Sequence, residues 1–202
     1  MKYLALGDSY TIGEGVPRDG RWPELMARAL RAEGIALEDP RIIAKTGWTT
    51  DELATAIDCE EPLGRFDFAT LLIGVNNQYR GRSVAEYRGE FAELLRRTIR
   101  FTGGEAGRVM VLSIPDWGVT PFARAEKRDP AQVAGEIDAF NAAARQVAEQ
   151  HGVAFVDITG TSRECGGEDA MLVADKLHPS AAMHASWADA ALPVARRLLA
   201  SA

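Results

Sequence analysis

The chain has 202 residues, 47% of them hydrophobic and 26% charged, with a formal net charge of −6. That length suits a single domain, residues 1–202, with a sizeable core, and the acidic balance, without a Lys/Arg cluster, excludes nucleic acid and anionic membranes as main partners. No apolar stretch approaches the ~18 residues of a membrane span, no room precedes the first strand for a signal peptide, and Cys59 and Cys165 make neither a disulfide framework nor a zinc pattern. The expectation is a cytoplasmic protein with reduced thiols, needing no metal or cofactor.

Five strand-like runs alternate with helical stretches. The first, Tyr3 to Leu6, breaks into Gly7-Asp8-Ser9 and a Gly-rich turn, the pattern of a buried strand with a polar tip. Pro23 then suits a first helical turn, Leu25, Met26, Ala29 and Leu30 form one apolar stripe, and Gly34 ends that helix. A second strand, Arg41 to Lys45, runs into Thr46-Gly47-Trp48, and Thr49 or Thr50 caps a short helix carrying Leu53, Ala56 and Ile57. The third run, Phe66 to Gly74, is almost wholly apolar, which marks a strand covered on both faces, and it breaks into Val75-Asn76-Asn77.

Ser83 and Glu86 stand in capping-box spacing at the head of a helix reaching Phe101. The fourth strand, Arg108 to Ile114, opens into a long loop from Pro115 to Phe122. Asp129-Pro130 starts a long helix ending at His151-Gly152, and the fifth strand is Val153 to Asp157. An irregular segment from Thr159 to Asp169 leads to Asp175-Lys176-Leu177-His178-Pro179 and a last helix reaching Ala200. Such alternation predicts a parallel sheet with helices on both faces, in the flavodoxin-like order 2-1-3-4-5. Ser9, Gly47, Asn76, the Asp116 loop and His178 would then share one edge of the sheet.

A serine hydroxyl attacks an ester only with a base to take its proton and donors to steady the oxyanion. Of the three histidines, His151 sits at a helix end, where a cation complements the dipole, and His184 reads as a partly exposed residue of the last helix. His178 differs, because Asp175 precedes it by three residues, within reach of one ring nitrogen. Pro179 pushes His178 out of the α region and suits the first position of the following helix, making His178 N-cap-like. The same residues also read as a turn and a polar cap. Asn76 and Gly47 likewise read either as oxyanion donors or as ordinary turn residues.

Taken together, Gly7-Asp8-Ser9, Gly47, Gly74-x-Asn76 and Asp175-x-x-His178 resemble the four blocks of the SGNH hydrolase superfamily, the GDSL-type esterases and lipases. The likeness runs from Ala5 to His178 in the family's order. It implies a three-layer α/β/α fold, Ser9 as nucleophile, His178 as base and Asp175 as its orienting partner. It also implies an oxyanion hole from the backbone N–H groups of Ser9 and Gly47 and the Asn76 side chain. Two departures stand out. Asn77 occupies the place of a usual Asp, and Tyr10 that of the Leu beside the nucleophile, a change expected to matter little.

Trp48, Asn77, Tyr79 and Trp117 are candidate lining residues for a small-molecule ester, with carboxylic esters, acetylated sugars, lysophospholipids and thioesters all within the resemblance. The rival readings are a non-catalytic flavodoxin-like binding domain and an inactive acyl-binding relative. The Gly7 to Gly15 loop lacks both the Walker ending and the dinucleotide spacing, and no carboxylate–histidine pair points to Cys165 as a nucleophile.

Overall fold

The runs of unbroken apolarity become the interior of the sheet. In the computed structural model, which describes residues 1–200, the strands are β1 (Tyr3–Gly7), β2 (Arg41–Ala44), β3 (Phe68–Leu72), β4 (Val109–Leu112) and β5 (Ala154–Val156). All pairings are parallel and the order is β2-β1-β3-β4-β5, as expected. Every residue of β1, β3 and β4 is buried, whereas the edge strands β2 and β5 keep partial exposure. This is the burial that helices on both faces impose on a parallel sheet. Thr70, the one polar side chain inside β3, is satisfied by the Tyr3 hydroxyl at 3.0 Å.

The helices in chain order are α1 (Ser9–Ile12), α2 (Trp22–Ala32), α3 (Thr50–Glu60), α4 (Val75–Tyr79), α5 (Val84–Phe101), α6 (Pro121–Ala125), α7 (Pro130–Gln150), α8 (Thr159–Cys165) and α9 (Ala181–Ala200). One layer joins α2 to α9, and in the other α5 packs on both α3 and α7. Local chemistry sets the ends. Thr49 and Glu52 close a capping box on α3, the Ser83 hydroxyl accepts from the Glu86 N–H at 3.2 Å, and Asp129 caps α7 just before Pro130. Inside, fully buried Trp22, Met26, Leu30 and Trp187 seal the α2–α9 layer, each large apolar side chain contributing about 1.5–3 kcal/mol.

Four expectations need correction. The segment after β5 is helical from Thr159 to Cys165, despite the poor helix formers Thr-Gly-Thr-Ser. The Ser113 hydroxyl accepts the N–H groups of Ile158 (2.8 Å) and Thr159 (3.1 Å), and Ser162 Oγ donates to the Thr159 carbonyl at 2.7 Å. Tertiary bonds thus replace propensity. The residues after β3 and the long loop after β4 contain the short helices α4 and α6. The last helix begins at Ala181, not at Pro179. Pro179 instead bridges Leu172, and the Ser180 carbonyl takes the first helical N–H, that of His184. His178 therefore lies ahead of the helix and is not its cap.

His184, expected to be partly exposed, is fully buried. Its Nδ1 accepts the backbone N–H of Trp22 at 3.2 Å, one of the donors a helix start leaves without an intrahelical partner. Burial, with the charges of Arg21 and His178, pushes its pKa down to about 3. His184 is a neutral joint between the two helices.

Candidate active site

Because the strands are parallel and end in register, Gly7 pairing with Ala44 on one side and Leu72 on the other, their polar tips rise at one edge. Gly7 allows the sharp exit from β1. A Cβ there would collide with the Thr11 side chain and the Leu72 carbonyl oxygen, so only glycine lets α1 fold back over the strand end. Asp8, fully buried, caps α1 by accepting the Tyr10 N–H at 3.0 Å, which makes Ser9 the first helical residue. Burial pushes the Asp8 carboxyl up to about 7, against the opposing pull of the Tyr10 N–H.

Ser9, Gly47, Asn76 and His178 line one cleft of about 230 Å³. Gly47 holds φ +88°, a left-handed turn after β2 that side-chain-bearing residues enter only with strain. Asn76 rides on α4 and donates one amide hydrogen to the Trp48 carbonyl at 2.9 Å, which fixes the amide and leaves its second N–H. Opposite, Asp175 Oδ1 accepts the N–H groups of Leu177 and His178, both at 2.9 Å, while Oδ2 meets His178 Nδ1 at 2.6 Å. Partial burial pulls the Asp175 carboxyl up, but the hydrogen bonds from the His178 ring and the two N–H groups outweigh it and hold it below its ordinary value. A charged Asp175 accepts the hydrogen bond of His178 Nδ1–H, which keeps the proton on Nδ1 and leaves Nε2 as the acceptor nitrogen. Among the described residues no hydrogen bond joins Ser9 Oγ to the His178 ring; such bonds commonly tighten only when substrate arrives.

The wall of the cleft includes Tyr79 and Trp117, as expected, and also Tyr10, Phe122 and Leu177, which sequence reasoning left out. Tyr10 packs on His178 with ring centroids 6.3 Å apart and on Trp187 at 5.7 Å, so the residue beside Ser9 also braces the histidine ring. Its place in the first block, where the family pattern has Leu, was the available signal. Trp48 and Asn77 are absent from the lining. Trp48 is half-buried and reaches the site through its carbonyl alone.

Asn77 is fully buried and turned toward α3, accepting the Thr50 N–H at 3.1 Å and donating to Thr50 Oγ1 at 2.6 Å. Glu90 lies 3.5 Å from the Asn77 amide nitrogen and also bonds Thr50. A carboxylate at position 77 would face that of Glu90, and the amide removes the repulsion.

The model of the GDSL-like lipase/acylhydrolase family matches residues 5–185, spanning all of these positions. The chain belongs to that family. It is therefore a hydrolase of the ester-cleaving kind. No curated protein matches the chain. Among solved structures, the one described as the crystal structure of TesA aligns with a TM-score of 0.78 at 19% identity, covering 98% of this chain and 99% of the other. The lipase/acylhydrolase from Enterococcus faecalis aligns at 0.68 and 23% identity, covering 100% and 97%. The acetyl xylan esterase AlAXEase aligns at 0.71 and 16% identity, covering 94% and 96%. At those identities the structural likeness establishes the shared fold, and membership of the GDSL-like family rests on the family match. Among the described residues no helix is long and apolar enough to cross a membrane.

Proposed function

We propose that the chain is one catalytic domain, a serine esterase that cleaves carboxylic esters through an acyl-enzyme. Ser9 is the nucleophile, His178 the base and Asp175 the residue that orients it. The observation that carries this reading is the Asp175–His178 pair, 2.6 Å apart across the cleft from Ser9, with the carboxylate fixed by two backbone N–H groups. A polar turn alone gives no reason for an ionised carboxylate to hold Nδ1 of a ring that lines the same cleft as a serine.

In the reaction His178 Nε2 takes the Ser9 proton as Oγ attacks the ester carbonyl, and Asp175 stabilises the imidazolium that forms. The negative charge gathers on the former carbonyl oxygen. The N–H of Ser9, which the start of α1 leaves without an intrahelical partner, the N–H of Gly47 and the second N–H of Asn76 are the donors proposed for it. His178 returns the proton to the leaving alcohol, and the cycle repeats with water on the acyl-enzyme. The cleft, at about 230 Å³ with Tyr79, Trp117 and Phe122 on its wall, lies below the ~300–1,000 Å³ usual for drug-sized ligands and favours short acyl groups. The flavodoxin-like binding domain and the inactive relative are less well supported, since neither requires the carboxylate–histidine pair.

Hydrolysis of 4-nitrophenyl acetate, combined with intact-mass analysis after an organophosphonate, tests the assignment. The native protein should hydrolyse the ester and gain one phosphonyl adduct, and folded Ser9→Ala should do neither. A variant that keeps a tenth of the activity, or still takes the label, overturns Ser9 as nucleophile.

A further inference from the structure

We propose that the substrate carries an anionic group, a carboxylate or a phosphate, which Arg128 binds at the mouth of the cleft; this rests on the esterase reading above. Tyr79 and Trp117 form part of the cleft wall, with ring centroids 5.3 Å apart. The Arg128 guanidinium carbon stands 5.3 Å from the Tyr79 centroid and 5.6 Å from that of Trp117, inside the ~6 Å reach of a cation–π contact. The charge is thus stacked on two rings of the wall that a bound ester would touch. Tyr79 is the partly exposed member at 42%, so the stack reaches solvent at the opening.

Both ends of this arrangement are fixed. Trp117 is buried, and its Nε1 donates to Gln78 Oε1 at 2.8 Å while Gln78 Nε2 donates to Glu136 at 2.6 Å. The Arg128 backbone N–H bonds the Ala123 carbonyl at 2.9 Å, between the end of α6 and Asp129, the cap of α7. Arg80 donates to the Gly47 carbonyl and pairs with Glu52, and Arg82 pairs with Asp51. Among the described residues no carboxylate lies within 4 Å of the Arg128 guanidinium, and its N–H groups bond no protein acceptor. The neighbouring Asp129 spends its carboxylate on the Ala131 N–H.

A guanidinium held flat on two rings keeps its N–H edge for a planar or tetrahedral oxyanion, which it can grip with two parallel bonds. In a chain of net charge −6 this sets a positive charge against two rings of the cleft that Ser9 also lines. The group can reach Arg128 from the acyl side of the ester or from the alcohol side.

Two matched pairs of esters separate those sources. The 4-nitrophenyl monoester of glutaric acid against 4-nitrophenyl pentanoate places a carboxylate on the acyl group, and acetylated glycerol phosphate against monoacetylglycerol places a phosphate on the alcohol. In at least one pair the native protein should favour the anionic member in kcat/KM by roughly three- to tenfold, the range for one partly exposed charge-assisted contact. Arg128→Gln should bring that ratio near one, and Arg128→Lys, which keeps the charge but loses the fork and the stack, should fall between. Each ratio is read on a single preparation, so a misfolded fraction cancels. No anionic preference in either pair, or a ratio unchanged in Arg128→Gln, overturns the proposal. If none of the four esters is hydrolysed, the esterase reading fails and takes this one with it.

Discussion

Replacing Asp175 with Asn tests what the charge does for His178 while sparing the turn. Asn keeps an Oδ1 for the N–H groups of Leu177 and His178, which the native carboxylate holds at 2.9 Å, but presents an NH₂ to the ring in place of the oxygen now 2.6 Å from Nδ1. To bond it, Nδ1 must become the acceptor and the ring proton must move to Nε2, where the Ser9 proton has to go. The wrong tautomer costs about 10⁴ in kcat when the carboxylate is buried. Here the Asp175 side chain is 45% exposed, so water competes for the ring and softens the loss. The expected fall is about 10²–10³ in kcat/KM, or about 2.7–4 kcal/mol of transition-state stabilisation.

The assay is kcat/KM for 4-nitrophenyl acetate from about pH 5 to 9, spanning ordinary imidazole titration, with the Tm as a check on folding. Asp175 is held below its ordinary value in the native state, so it stays ionised throughout this range. Asp175→Asn should lower the whole profile without unfolding the protein. A variant keeping more than a third of the native rate refutes the tautomer argument and returns Asp175 to the status of a turn residue.

Asn76→Ala should lower kcat by roughly 10²–10³ with a much smaller change in KM, the loss for one oxyanion donor; a change confined to KM would make Asn76 a binding or turn residue. Asp8→Asn should remove a pH dependence of stability. The folded-state pKa of about 7 lies above the ordinary 3.8, so the native state is favoured with Asp8 protonated and loses on the order of 4 kcal/mol as pH rises through that interval, with no further loss above it. Urea midpoints of the native protein and the variant, compared at pH 5 and pH 8, cancel the contributions of other groups. A difference between the two proteins that does not change with pH refutes the assignment.

Legibility in the sequence followed the range of the interaction that fixes each residue. Phe68 to Leu72 reads as a buried strand because burial on both faces demands apolarity at every position, which is visible locally. The Asp175–His178 pair was legible because three residues of separation suffice to bring the groups together. His184 was not, because its burial is decided by the N–H of Trp22, far away in the chain. The helix from Thr159 to Cys165 escaped for the same reason, being held by Ser113 of the neighbouring strand tip and not by its own residues. Phe122 and Leu177 joined the cleft wall, and Trp48 and Asn77 left it, through loop paths that no periodicity encodes.

The bond from Trp22 to His184 ties the beginning of the fold to its last helix, and the proposed nucleophile and base stand on either side of that tie, at Ser9 and His178. During synthesis the serine leaves the ribosome long before the histidine has been added. On the proposed assignment an emerging chain therefore carries Ser9 without its base, and the constellation is completed only when the final segment docks. On that assignment, a product that stops short of His178 would lack the base and leave esters uncleaved.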